Sequence, residues 1–108
     1  MTVRWSDKKL IKVATEFRAG ILGEDIPNMR CGMVSWPLAG HLQFLGVKCT
    51  TAEADLGWIN HVWIVLQDGR VLDPTASQFN GELGEWPPVY LGPPDPRIHI
   101  PASQQATP

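Results

Sequence analysis

Apolar positions in the first half of the chain recur at helical spacing. Leu10, Ile11, Ala14, Phe17 and Ile21 fall on one stripe, which predicts a core-facing helix after Ser6. Ser6 suits its cap, Asp7 suits the positive end of the helix dipole, and Gly20 and Gly23 mark its close. "GEDIPNMR" reads as a loop. "CGMVSWPLAGHLQFLG" reads as a second helical region with Val34, Leu38, Leu42 and Leu45 as its apolar face and Gly46 as its end. Pro37 conflicts with a smooth helix. In a helix interior it clashes with the carbonyl four residues back, at a cost of about 3 kcal/mol. The expectation is therefore either a kink or a helix that starts near Ser35, with Cys31 in the turn just before it.

The pattern then changes. "VKCT" reads as a short strand and "TAEADLGWI" as a loop or a short turn of helix. His61 to Leu66 is so continuously apolar that a strand buried on both faces is predicted. Asp68-Gly69 signals a turn, and Arg70 to Asp73 the returning strand. From Trp86 the chain is proline-rich and offers little core. It is expected to run extended and to wrap the domain, with His99 solvated. The expected division is a folded domain over 1–86 and an extended tail over 87–108. Helices followed by strands make the predicted class α+β, with N-terminal helices packed on an antiparallel sheet.

Composition narrows the function classes. The chain has 108 residues, which suits one domain with a modest core. Its net charge is −2 with no basic stripe, which disfavours nucleic acid as a partner. No long apolar run or polybasic segment points to a membrane. The N-terminus lacks the apolar run of a signal peptide, so a cytoplasmic protein is expected. Two cysteines, Cys31 and Cys49, are too few for a disulfide framework. Cys49 reads as core. The spacing of Cys31, Cys49, His61 and Asp73 matches no common zinc pattern, so neither a metal nor another cofactor is expected.

The chemistry concentrates in "NHVWIVLQDGRVLDPT". A two-residue turn at Asp68-Gly69 would put His61 and Asp73 on opposite sheet faces. A three-residue loop, Gln67-Asp68-Gly69, with glycine in the left-handed region, would pair Leu66 with Arg70 and Trp63 with Asp73. His61 and Asp73 would then share a face, close enough for the carboxylate to orient the imidazole. Asp73-Pro74-Thr75 is also a common turn in which aspartate binds local amides. Cys31 is the candidate third member, because a helix start and a neighbouring imidazole both favour thiolate. His41, ten residues after Cys31, is a poor general base for it.

Cys31-Gly32, His61-Val62-Trp63, Gly69 and Asp73-Pro74-Thr75, in this order, resemble the transglutaminase-like branch of the papain-like cysteine hydrolases. The resemblance covers roughly Arg30 to Phe79. It implies a nucleophile helix packed on an antiparallel sheet that bears histidine and aspartate. It makes Cys31 the nucleophile, His61 the general base and acid, and Asp73 the group that fixes the imidazole. The implied activity is a cysteine-dependent amide hydrolase or acyl transferase, a peptidase or deamidase, acting on a peptide or protein amide through an acyl-thioester. No glutamine precedes Cys31 to serve as an oxyanion donor; the Cys31 backbone N–H is one candidate, with Asn28 or the Trp5 indole as a second. Trp36, Trp58 and Trp63 read most simply as core, with a substrate groove lined by Trp36 or Trp58 as the alternative. Two other readings stand beside this one. The chain is a non-catalytic protein-binding or regulatory module on the same fold, or its proline-rich tail is the functional part.

Overall fold

The computed structural model describes residues 5–22, 31–55, 60–81 and 84–99. Helix α1 (Asp7–Leu22) and helix α2 (Cys31–Phe44) precede strands β1 (Cys49–Asp55), β2 (Asn60–Leu66) and β3 (Val71–Asp73). A short 3-10 turn (Ala76–Phe79) and strand β4 (Tyr90–Gly92) follow. The strands form one antiparallel sheet in the order β1-β2-β3-β4, and the two helices pack on it. The class is α+β.

Ser6 caps α1, its Oγ accepting the Lys9 N–H at 3.2 Å. The buried stripe is narrower than the sequence pattern implied. Leu10 and Ala14 are buried with Val13 and Phe17 beside them, whereas Ile11 lies on the exposed side. Positions 10, 13, 14 and 17 make a tighter helical stripe than one including 11.

Helix α2 begins at Cys31, four residues earlier than a start at Ser35, and runs through Pro37. Pro37 and Trp36 are exposed, so the proline lies on the hydrated side of the helix, where a missing N–H is least costly. Val34, Leu38 and Leu42 are fully buried. Leu45, predicted on the same face, is instead exposed, because the helix has already turned off at Phe44. The Gly46 N–H reaches the Gln43 carbonyl at 3.0 Å and the Val47 N–H reaches that of Leu42 at 2.9 Å. Gly46 has φ 94°, and together these make a Schellman ending.

Strand β1 extends through "TAEAD", where a loop or helical turn was predicted. It pairs with β2 over seven residues, from Cys49 opposite Leu66 to Asp55 opposite Asn60. Local propensity loses here because the backbone of the buried strand β2 needs hydrogen-bond partners on its open side. On the other side β2 meets β3 in the three-residue-loop register. Ile64 pairs with Leu72 and Val65 with Val71, the Leu66 N–H bonds Arg70 O at 2.8 Å, and Gly69 takes φ 89°.

The segment after Trp86 contributes to the interior, contrary to expectation. β4 completes the sheet against β3, and Trp86, Val89 and Ile98 are buried. Trp86 and Ile98 pack with Ala76 and Phe79 in a cluster of their own. Ile64, Leu66, Leu72 and Cys49 meet α1 and α2 in the main cluster. Trp63, Ala54 and Val71 form a separate cluster with Tyr90 beside it. Among the described residues no helix is long and apolar enough to cross a membrane.

Candidate functional site

The β2–β3 register decides the site. With Ile64 opposite Leu72, the same register sets Trp63 opposite Asp73 and His61 one diagonal step away. The His61 Nε2 to Asp73 Oδ2 distance is 2.6 Å, and neither side chain is accessible to solvent. The carboxylate also serves the local turn, its Oδ1 accepting the Thr75 N–H at 3.0 Å. Asp73 therefore meets the local turn with one oxygen and the His61 imidazole with the other.

Pro74 has a further effect. In this register the carbonyl of Val62 points toward residue 74, and proline has no N–H to give it. The buried Ser35 hydroxyl donates to that carbonyl instead, at 3.0 Å. Near the other end of α2, the Gln43 amide donates to Cys49 O at 2.9 Å, and Cys49 stands opposite Leu66. Helix α2 therefore runs alongside β2 in the same direction. Its first residue, Cys31, is one turn before Ser35, about 6 Å along the axis, at the His61 end of the strand. The Cys31 side chain lies outside the described part of the structure.

A second histidine completes the cluster. His99, expected to be solvated, is 3% exposed, and its Nε2 is 2.7 Å from the same Asp73 Oδ2. Its Nδ1 accepts the backbone N–H of Asp95 at 2.9 Å. A backbone amide only donates, so Nδ1 carries no proton and Nε2–H is the donor to Asp73. His99 is thus held with its proton on Nε2. The loop that holds it is organised by Asp95. The Asp95 carbonyl accepts the His99 N–H at 2.6 Å, and its carboxylate binds the Arg97 guanidinium and the Trp86 indole.

Burial alone would push the Asp73 carboxyl up; the hydrogen bonds of His61 and His99 outweigh it and bring it down to about 2. Rings enclose both imidazoles. Phe79 meets His61 edge-on at 4.8 Å, Trp63 lies 5.4 Å from His61, and Trp63 and Tyr90 lie 5.1 and 5.4 Å from His99. The His61 Nδ1 is 3.4 Å from the Gln78 amide nitrogen, a contact in which Nδ1 acts as acceptor. The lone pair of His61 is then on Nδ1 and its proton on Nε2, facing Asp73.

His61, Asp73 and His99 bring three potential ligand atoms within 4.8 Å of one another. The donor set does not suit a metal ion. His99 holds its proton on Nε2 because Asp95 occupies Nδ1, so the lone pair a metal requires there is absent. Cys49 is no partner to this cluster. It is a free, buried thiol opposite Leu66, five residues along β2 from His61, roughly 17 Å at strand spacing. Burial pushes its thiol above the ordinary range.

The other sequence candidates are dispersed. Trp5 packs against the α1–α2 cluster with the Lys9 ammonium 4.3 Å from its ring. Trp36 is 56% exposed on α2. Asn28 and Trp58 lie outside the described residues. His41 is exposed and stacks on Phe17 at 5.4 Å, which engages it with α1. His99 is the residue that sequence reasoning missed. Its signal was Ile98-His99-Ile100, a histidine between two apolar residues inside an otherwise proline-rich run. Comparison with family models, with curated proteins and with solved structures gave no match to this chain.

Proposed function

We propose that this chain is a cysteine-dependent amide hydrolase or acyl transferase on a transglutaminase-like core, with Cys31, His61 and Asp73 as its triad. The observation that carries the reading is the buried 2.6 Å contact between His61 Nε2 and Asp73 Oδ2, which turns Nδ1 away from the carboxylate. Helix α2 starts at Cys31 level with the His61 end of β2 but packs on the face of Ile64 and Leu66, so the reading has the thiol reach His61 around the end of the strand. In this reading His61 Nδ1 takes the Cys31 thiol proton and the thiolate attacks an amide carbonyl. Collapse of the tetrahedral adduct breaks the C–N bond, and the imidazolium returns its proton to the leaving amine. Water then cleaves the thioester, or an amine takes the acyl group. Asp73 stabilises the imidazolium that exists between the two transfers.

A second reading has its own support. Both His61 and Asp73 are 0% exposed, as expected of a polar clip in a binding module. The rate of Cys31 alkylation against pH, in a Cys49→Ala background with and without His61→Gln, separates them. An activated thiolate alkylates rapidly well below pH 7 and loses that reactivity in the His61 variant. A profile with an ordinary midpoint near pH 8.5 in both proteins favours the clip.

A further inference from the structure

We propose that His99 is a positioning residue of this site, holding the Asp73 carboxylate ionised and aimed at His61. The inference rests on the reading of His61 as the base. Three observations carry it. The Asp73 Oδ2 lies between two Nε2 atoms, at 2.6 Å from His61 and 2.7 Å from His99. The His99 nitrogen is a donor by construction, because the Asp95 N–H claims its other nitrogen. The second Asp73 oxygen faces the Thr75 N–H. Each oxygen therefore faces a donor other than His61: Oδ2 already accepts two N–H groups, and Oδ1 meets the Thr75 N–H and, at 3.5 Å, the Thr75 hydroxyl.

The consequence for His61 follows from sharing. An oxygen that accepts two N–H bonds is less basic toward each than an oxygen that accepts one. Asp73 thus orients the imidazole while leaving the proton on His61 Nε2, and the lone pair stays on Nδ1. Without His99, the buried carboxylate loses a fixed donor and takes up a proton more readily. Among the described residues, the other ionisable groups around the pair are Tyr90 on β4, whose ring packs on His99, and Asp95 with Arg97 in the preceding loop. None of them offers a replacement N–H to Oδ2 in the observed arrangement. His99 also brings Ile98 and the Asp95 loop into the fold, which makes the segment after Trp86 a structural member of the site.

The test uses the full chain with Cys49→Ala, carrying His99→Phe or His99→Gln. Phenylalanine keeps a ring against Trp63 and Tyr90 but has no N–H. Glutamine restores an amide that donates to Asp73 and an oxygen that accepts from Asp95. Carboxyl carbon NMR follows Asp73, nitrogen NMR follows the histidine tautomers, and iodoacetamide alkylation follows Cys31. The expected result is that His99→Phe raises the Asp73 titration midpoint by at least one pH unit. It also slows Cys31 alkylation at pH 6 by roughly tenfold, and His99→Gln recovers most of both effects. A folded His99→Phe protein with the Asp73 midpoint unchanged would overturn the proposal. If that variant does not fold, the parent protein decides: a proton on His99 Nδ1 overturns the proposal, and one on Nε2 with rescue by glutamine supports it. An ordinary alkylation profile in the parent defeats the Cys31–His61 reading alone, since the Asp73 midpoint still reports on His99.

Discussion

Replacing Asp73 by asparagine changes almost no volume and isolates the electrostatics of the buried cluster. The carboxylate accepts from the Thr75 N–H, from His61 and from His99. An asparagine has one acceptor oxygen, so it serves either the turn or the imidazoles. Whichever it serves, its amide group faces a buried donor. One unsatisfied buried N–H costs about 1–3 kcal/mol, and bonds to a charged acceptor are the stronger kind. Asp73→Asn should therefore lower stability at pH 7 by about 3 kcal/mol. The loss also has a predicted pH dependence. The Asp73 carboxyl is depressed from an ordinary 3.8 to about 2 in the folded protein. A depressed carboxyl stabilises the fold above its unfolded pKa, and that contribution fades as pH falls through the folded one. Integrated, the shift is worth roughly 2 kcal/mol. The gap between parent and variant should thus be widest above pH 5, narrow by about 1 kcal/mol at pH 3, and lose about 2 kcal/mol near pH 2. Urea unfolding followed by the fluorescence of the buried Trp63 and Trp86 measures this at each pH. A variant within about 0.5 kcal/mol of the parent at pH 7, or a gap that stays constant down to pH 3, would refute the account of the cluster.

Three further outcomes are expected. Ser35→Ala strands the buried Val62 carbonyl and should cost about 1–3 kcal/mol in urea unfolding, while adding Pro74→Ala supplies an N–H and should recover part of it. Gly69→Ala meets no atom within 4 Å but must adopt φ 89°, so a torsional cost of about 1 kcal/mol is expected, with Gly69→Asn milder; equal stability of all three proteins would contradict the loop geometry. Cys49 should resist a thiol reagent at pH 8 in the folded protein and react promptly in urea, because burial both shields its thiol and raises its pKa.

The parts of the fold that could be read from sequence are those where local chemistry and tertiary demand agree. Gly69 stands where a three-residue loop needs a left-handed residue, so the register that joins His61 to Asp73 is one of the two the sequence permits. Ser6 and Gly46 bracket their helices for the same reason. The predicted strand at "VKCT" is the start of β1, but its continuation was hidden because Thr51, Ala52 and Glu53 alternate too weakly in polarity to signal a strand; the open side of β2 imposes the structure on them. Of the two readings Pro37 left open, the helix start near Ser35 fails, since a proline on a helix's wet side costs less than one in its packed side. His99 was invisible for a topological reason. Nothing within "PPDPRIHI" reveals that β4 will turn this segment back across Asp73, and a contact between residues 73 and 99 is a property of the sheet rather than of either neighbourhood.

The sheet order β1-β2-β3-β4 repeats the order of the chain. Each strand can close on a neighbour that is already adjacent in sequence, which keeps the entropic cost of loop closure low and lets the meander assemble by local steps. The bond from His99 to Asp73 departs from that pattern, spanning 26 residues and reaching past β4. In a folding reaction ordered by loop length it closes after the β2–β3 hairpin, when Asp73 already faces His61. Refolding should therefore pass from a sheet with one imidazole on the carboxylate to one with two. The rate of that closing step would set how soon a newly folded molecule has its finished charge arrangement.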